Sequence, residues 1–213
     1  MAVYACAGAA GFRTGWNTVE WQVNAITNIE PERLRLRRVS TDDLTQQEIV
    51  AIRELLATAF GSDEEERFTD DDWEHGLGGA HFVLELDGEI IVHASVVERT
   101  LHVGDQPLRT GYVESVATAV DRQGAGFGSR VMAEVTSYIK GRFELGALGT
   151  GRHSFYERLG WVTWRGPAFV RSADGPRRTP DEEGFILVLP TAASPTLDLS
   201  AAISCDWRRG DVW

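Results

Sequence analysis

A mixed, mostly antiparallel sheet flanked by helices, an α/β (α+β) architecture, is the fold class that three features of the sequence predict. Asp87-Gly88 separates two β-rich runs, residues 81–86 and 89–97, and Asp-Gly between such runs is a strong hairpin signal. A third strand-like run, residues 108–117, follows after Gly104-Asp105. A glycine-rich turn, Gln123-Gly124-Ala125-Gly126-Phe127-Gly128, then leads into a helical pattern, after which strand-like and helix-like segments alternate. An antiparallel meander followed by β-α-β-α-β gives a mixed sheet.

Taken in order, residues 34–39 alternate weakly and read as a first strand. Thr41-Asp42-Asp43 offers N-cap chemistry, and Ile49, Ile52, Leu56, Ala59 and Phe60 follow at helical spacing as far as Gly61. After an acidic stretch, Asp63-Glu64-Glu65-Glu66, the pattern Thr69-x-x-Asp72 starts a short helix that Gly78-Gly79 ends. Residues 101–103 extend the second strand of the hairpin. Phe127, Val131, Val135 and Tyr138 share one face of the next helix. Residues 143–148 form a strand, 153–158 a short helix and 161–165 a strand. A Gly/Pro/Arg-rich loop covers 166–184, and 185–189 closes the sheet. Residues 1–33 have no sustained period and are expected to be a poorly ordered N-terminal extension before a single domain, 34–213. The ending, Cys205-Asp206-Trp207-Arg208-Arg209-Gly210-Asp211-Val212-Trp213, is rich in Trp and charge, and its tryptophans suggest that it docks.

Composition narrows the classes of function. With 21 Lys and Arg against 32 Asp and Glu in 213 residues, the net charge is −11. A nucleic-acid partner is therefore not expected, because phosphate binding needs clustered basic residues. A cationic ligand is permitted, although acidity also serves solubility. No apolar run reaches the roughly 20 residues of a membrane span. Residues 1–12 lack a basic n-region, so a cytoplasmic location without a membrane is expected. Cys6 and Cys205 are read as free thiols. The five histidines have no metal-ligand spacing and are read as structural or surface residues, with no metal expected.

The loop 123–128 carries the first functional signal. Glycines without Cβ atoms let backbone approach a ligand closely. The helix that follows presents unpaired N–H groups and the positive end of its dipole. Together they suit a diphosphate without basic side chains, although a glycine-rich connection between elements has the same composition. Gln123-x-x-Gly126-x-Gly128 resembles the Q/R-x-x-G-x-G/A signature of GNAT acetyltransferases, and the order of elements matches theirs. The resemblance implies acetyl-CoA as cosubstrate. Its pyrophosphate would lie on the amides of Gln123, Gly124, Ala125, Gly126, Phe127 and Gly128, and its pantetheine arm on a bulged strand end at Val116-Ala117-Thr118.

Narrower stretches resemble the aminoglycoside 2'-N-acetyltransferase family: Asp72-Trp73-Glu74-His75, Leu77-Gly78-Gly79, Gly111-Tyr112-Val113-Glu114, Leu145-Gly146-Ala147-Leu148, Arg178-Thr179-Pro180-Asp181 and, most distinctively, the C-terminal tail. The resemblance covers residues 34–213 and implies transfer of acetyl to the 2'-amine of a cationic aminoglycoside. Amines are mostly protonated near pH 7, so a base must take a proton, and a departing thiolate benefits from an acid. The resemblance assigns these roles to Glu114 and Tyr156, and oxyanion donation to the backbone N–H near Val116. It assigns substrate binding to an acidic residue of the 63–72 loop, Glu66 or Glu65, and to Glu114, Ser115, Gly149, Glu182, Asp211, Val212 and the terminal carboxylate of Trp213. By analogy it implies a homodimer. The sequence departs from the pattern at Arg67, where the family has Asp, at Gly149, where the family can carry Ser, and in a segment 149–156 two residues short. Another amine acceptor, or a noncatalytic acyl-CoA-binding or aminoglycoside-binding module, remains open at this level.

Overall fold

A computed structural model describes residues 33–61 and 67–213. The expected N-terminal extension, all but Arg33, and the candidate ligands Glu65 and Glu66 lie outside the described residues.

The chain begins with strand β1 (Leu34–Ser40) and a 3-10 turn, Thr41–Asp43. Helix α1 (Gln46–Phe60) is capped by Thr45, whose hydroxyl accepts from the Glu48 N–H while the Glu48 carboxylate accepts from the Thr45 N–H. Such a box contributes about 1 kcal/mol. The N-cap is therefore Thr45 and not the Thr41-Asp42-Asp43 group, which turns the chain before the helix. The box expected at Thr69 and Asp72 does start helix α2 (Asp70–His75), with Gly76 at its end.

Strands β2 (Ala80–Leu86), β3 (Glu89–Val103) and β4 (Gln106–Thr118) form the antiparallel meander. Helix α3 (Phe127–Lys140), strand β5 (Leu145–Gly149), helix α4 (His153–Glu157) and strand β6 (Val162–Thr163) follow. The segment read as a loop, residues 166–184, instead contains a hairpin of β7 (Ala168–Ser172) and β8 (Gly175–Arg178) and a 3-10 turn, Pro180–Glu182. β9 (Ile186–Pro190) lies inside the sheet with β6 beyond it, so it does not form the edge. The tail contributes β10 (Ile203–Asp206), which pairs parallel to β7 and antiparallel to β3.

These strands form one forked sheet. Its main path runs β6-β9-β5-β4-β3-β10-β7-β8, while the first half of β3 also pairs with β2, and β2 with β1. Apolar side chains fill three clusters. Phe127, Val131, Met132, Val135 and Ile139 of α3 cover one face against Phe82, Leu84, Ala94 and Val113. Ile52, Leu55, Leu56 and Phe60 of α1 cover the other with Trp73 and Val83. The third cluster gathers Leu101, Tyr112, Trp164, Ile203 and Trp213 where the tail joins. Trp73, Trp161 and Trp164 are all buried, as a core role requires, whereas Trp207 is exposed. Among the described residues no helix is long and apolar enough to cross a membrane.

Candidate active site

Strand β4 is the axis of the site. Its parallel pairing with β5 runs only from Thr110–Leu145 to Tyr112–Ala147. Beyond Tyr112 the strands part, leaving the β5-facing side of 113–118 without a ladder partner. Facing β3, the same strand bulges. Ser95 opposes Glu114 and His93 opposes Ala117, so Ser115 and Val116 together face Ala94 alone. Ser115 sits at φ 52°, a left-handed conformation that costs a non-glycine residue on the order of 1–3 kcal/mol and persists only where its surroundings enforce it. Side chains of β3 supply that enforcement. The Ser95 hydroxyl donates to the Glu114 carbonyl at 3.2 Å, and His93 Nδ1 donates to the Ser115 carbonyl at 2.8 Å. From the other side Gly76 comes so near that a Cβ there would lie 2.9 Å from Ser95 Oγ and 3.2 Å from Ser115 Oγ.

The glycine loop leads from this strand into α3. Gln123 Nε2 donates to the Thr118 carbonyl at 3.2 Å, tying the loop to the strand end. Gly124 and Gly126 stand at φ 77° and 88°, where side chains are strained. Gly126 caps α3 without any side-chain hydrogen bond, so the first-turn amides face outward unoccupied by a cap. Gly128 packs so tightly that a Cβ would lie 2.9 Å from Thr118 Oγ1. Phe127 anchors the turn in the core, with Ala125 packed against it; Ala117 and Thr118 are buried and Val116 is half-buried. Loop and strand edge thus form a continuous backbone surface whose bare amides fit a diphosphate followed by an extended amide-bearing arm.

Glu114 is 7% exposed, and Arg208 Nη1 donates to its Oε1 at 2.6 Å. Burial pushes its pKa above the ordinary carboxylate value, with Arg208 pulling the other way. Arg208 also holds the tail. Its Nε donates to the Asp211 carbonyl at 2.7 Å and its Nη2 to the Trp213 carbonyl at 3.5 Å. Arg99 Nη2 donates to the Val212 carbonyl at 2.8 Å, and the Cys205 thiol donates to the same oxygen at 3.2 Å. Both guanidinium groups lie over the Tyr112 ring, 4.6 Å for Arg99 and 5.7 Å for Arg208. Trp213 is 3% exposed, and its indole N–H donates to Thr179 Oγ1 at 2.9 Å.

Gly149 ends β5 beside this assembly; a Cβ there would lie 3.9 Å from both the Trp213 carboxyl carbon and the Tyr112 hydroxyl. The Tyr112 hydroxyl is buried and has no hydrogen-bond partner among the described residues. Glu182, at the end of the 3-10 turn, has its pKa raised by burial and then by the negative charge of Asp211. Repulsion between two such carboxylates is relieved by a cation placed between them. The structure thus brings Glu114, Ser115, Gly149, Glu182, Asp211, Val212 and Trp213 into one region. Tyr156 lies on α4, 3% exposed, edge-on to Phe155 at 4.9 Å and to Trp161 at 6.2 Å, in the cluster that also holds Phe127.

Sequence reasoning missed Arg208, Arg99, Tyr112, Thr179 and the pair Ser95 and His93. Tyr112, Thr179 and Arg208 lay within family-like stretches without being singled out, and the contact of Arg208 with Glu114 spans 94 positions. Among the described residues no cluster of His, Cys, Asp and Glu could hold a metal ion.

Residues 40–163 match the family model described as an acetyltransferase (GNAT) domain. The chain is 42% identical over 182 residues, 83% of its own length and 91% of the relative's, to an aminoglycoside 2'-N-acetyltransferase of Mycolicibacterium fortuitum. Its fold is similar to that of a GNAT family N-acetyltransferase from Escherichia coli solved in complex with CoA, at a TM-score of 0.58 and 17% identity, covering 81% of this chain and 89% of that one. A GNAT family acetyltransferase from Brucella melitensis, solved with acetyl-CoA, is similar at a TM-score of 0.52 and 16% identity over 77% of this chain and 92% of that one. Splayed strands, bulge and glycine loop therefore stand in a chain that belongs to the GNAT acetyltransferase family, within the branch of the Mycolicibacterium aminoglycoside 2'-N-acetyltransferase.

Proposed function

We propose that this protein transfers the acetyl group of acetyl-CoA directly to the 2'-amine of an aminoglycoside. The observation that carries the reading is one cluster of carboxylates. Glu114, the Glu182–Asp211 pair and the C-terminal residues converge beside a strand bulge that leads straight into a bare-amide loop. Polyamine ligands need several anionic acceptors spread over a cleft, and charged acceptors make the stronger hydrogen bonds to ammonium donors.

The cosubstrate supplies an activated thioester and a sulfur leaving group. Gly124, Ala125, Gly126, Phe127 and Gly128 would hold its diphosphate through backbone N–H groups, with Gln123, whose own N–H donates to the Val120 carbonyl at 3.4 Å, bracing the loop, and Val116, Ala117 and Thr118 would hold its extended arm. Glu114 takes a proton from the bound ammonium, and its burial places its basicity nearer to neutral pH than that of a solvated carboxylate. The Val116 N–H donates to the oxygen that gains charge, and the Tyr156 hydroxyl returns a proton to the sulfur. Asp211, Glu182, the Val212 backbone and the Trp213 carboxylate orient the drug's remaining amines, while the side-chain-free Gly149 leaves room beside the Tyr112 hydroxyl.

Thiol release from acetyl-CoA, measured with aminoglycosides that carry or lack a 2'-amine, tests the reading. Release confined to the 2'-amine drugs supports it. Release with either set points to a broader amine acceptor, and release with neither removes the enzyme assignment. The proposal includes a cytoplasmic homodimer, which sedimentation of the purified chain and fractionation of its host would check.

A further inference from the structure

One chain of hydrogen bonds, buried at its two histidines and reaching the surface at Gly78, connects the bulge to the far end of β2. His93 Nδ1 meets the Ser115 carbonyl at 2.8 Å, His93 Nε2 meets His81 Nδ1 at 2.9 Å, and His81 Nε2 meets Thr41 Oγ1 at 2.9 Å. Thr41 Oγ1 in turn accepts the Gly78 N–H at 2.8 Å. Both imidazoles are fully buried, and the Trp73 ring lies tilted against His81 with centroids 6.2 Å apart.

The donors can be assigned step by step. A carbonyl only accepts, so His93 carries its hydrogen on Nδ1, and in a neutral ring Nε2 must then accept. His81 therefore donates from Nδ1 and accepts at Nε2, where the Thr41 hydroxyl donates at 2.9 Å, the Gly79 carbonyl at 3.5 Å being its more distant acceptor. Every bond points the same way, from the Gly78 amide to the Ser115 oxygen, and aligned bonds of this kind polarise one another.

The Ser115 carbonyl and the Val116 N–H belong to one planar trans peptide, so they point in opposite directions. Gripping the oxygen fixes the aim of the N–H. We propose that Thr41, His81 and His93 form a positioning relay that locks the strained Ser115–Val116 peptide and aims the Val116 N–H away from the histidines as the oxyanion donor. The proposal deepens the acetyl-transfer reading and rests on it. His93 touches no substrate, so it is a positioning residue.

The first measurement needs no variant. Long-range ¹H–¹⁵N spectra of the wild-type protein at neutral pH should show both His81 and His93 as Nδ1–H tautomers, the rarer form in free imidazole. An Nε2–H tautomer at His93 would overturn the relay. The second compares His93→Leu, which removes the donor, with His93→Asn, whose amide nitrogen can occupy the place of Nδ1. His93→Leu should lower kcat by about 10²-fold, the effect of losing one oxyanion donor, with the CoA Kd and the drug KM within about threefold. His93→Asn should recover much of the lost kcat. Turnover of His93→Leu within threefold of wild type would overturn the positioning role, as would a loss shared equally by CoA affinity. Should His93→Leu fail to fold, the tautomer result still decides. Wild-type protein inert towards every amine offered would instead reject the acetyl-transfer reading itself, so the two failures are distinguishable.

Discussion

Replacing Arg208 with Met tests how the tail and Glu114, the proposed base, are coupled. The Arg208 and Glu114 side chains are 17% and 10% exposed and share a 2.6 Å contact. Breaking a buried pair by removing one partner costs about 3–5 kcal/mol, because the remaining charge is left without compensation. Partial access to water here favours the lower end, about 3 kcal/mol. At roughly 2–4 °C per kcal/mol for a chain of this size, the melting temperature should fall by about 6–12 °C. The loss should depend on pH. Glu114 already has a folded pKa above its ordinary 4.5, so its stability contribution is complete below that value and is lost as pH rises through the folded pKa. Without Arg208 the folded pKa climbs further and the window of loss widens upward. Thermal melts should therefore show a small difference between Arg208→Met and wild type near pH 4.5 and a large one near pH 8. The acid limb of kcat/KM should move to higher pH in the variant. Equal destabilisation at both pH values, with an unmoved acid limb, would refute the coupling.

Other perturbations separate the parts of the site. Gly126→Val places a β-branched residue at φ 88°, where an L-residue loses about 1–2 kcal/mol; calorimetry should find CoA binding weakened at least tenfold, and an unchanged Kd would reject the loop assignment. Tyr156→Phe should cut turnover by about 10²-fold with CoA affinity retained; wild-type turnover would remove its acid role. Deleting Asp211 to Trp213 should weaken aminoglycoside binding at least tenfold, since each hydrogen bond to a charged group contributes about 1.5–3 kcal/mol; unchanged drug affinity would contradict the tail's part in binding. Burial holds His81 and His93 neutral, with pKa values lowered from 6.5 to about 4 and about 3. Unfolding lets both take protons below 6.5, so wild-type stability should fall as pH drops from 6.5 towards 4, more steeply than in His93→Asn. A pH-independent denaturation midpoint across that range would count against the neutral pair.

The meander, the glycine loop and α3 were legible because each has a local cause: Asp87-Gly88 closes a hairpin, and Phe127, Val131 and Val135 recur at helical spacing. The hairpin of β7 and β8 was not. β8 reads Gly-Pro-Arg-Arg and is exposed along most of its length, as edge strands commonly are, so no apolar alternation announced it. The histidine pair illustrates a different obstacle. A plain two-residue hairpin at Asp87-Gly88 would set His93 opposite Phe82 and so put His81 on the other face. The irregularity between Leu84 and Glu85 shifts the register, pairing His93 with Val83 and His81 with Ser95, and a one-residue slip exchanges faces. Within the site, the loop glycines were singled out by motif spacing and Glu114 by the family resemblance, whereas Arg208 reaches Glu114 only through the folded tail.

Among the described residues the hairpin of β7 and β8 pairs with the rest of the sheet only through β10, a four-residue strand that follows it in the chain. During synthesis, the glycine loop and the meander leave the ribosome long before this last strand does. The loop and bulge proposed to hold the cofactor can thus assemble early, while Asp211 and Trp213, proposed to contact the drug, follow later. Their docking joins segments far apart in sequence, the slow kind of contact. On the proposed reading, a nascent chain would accordingly gain its cofactor-binding half first and its discrimination among amines later.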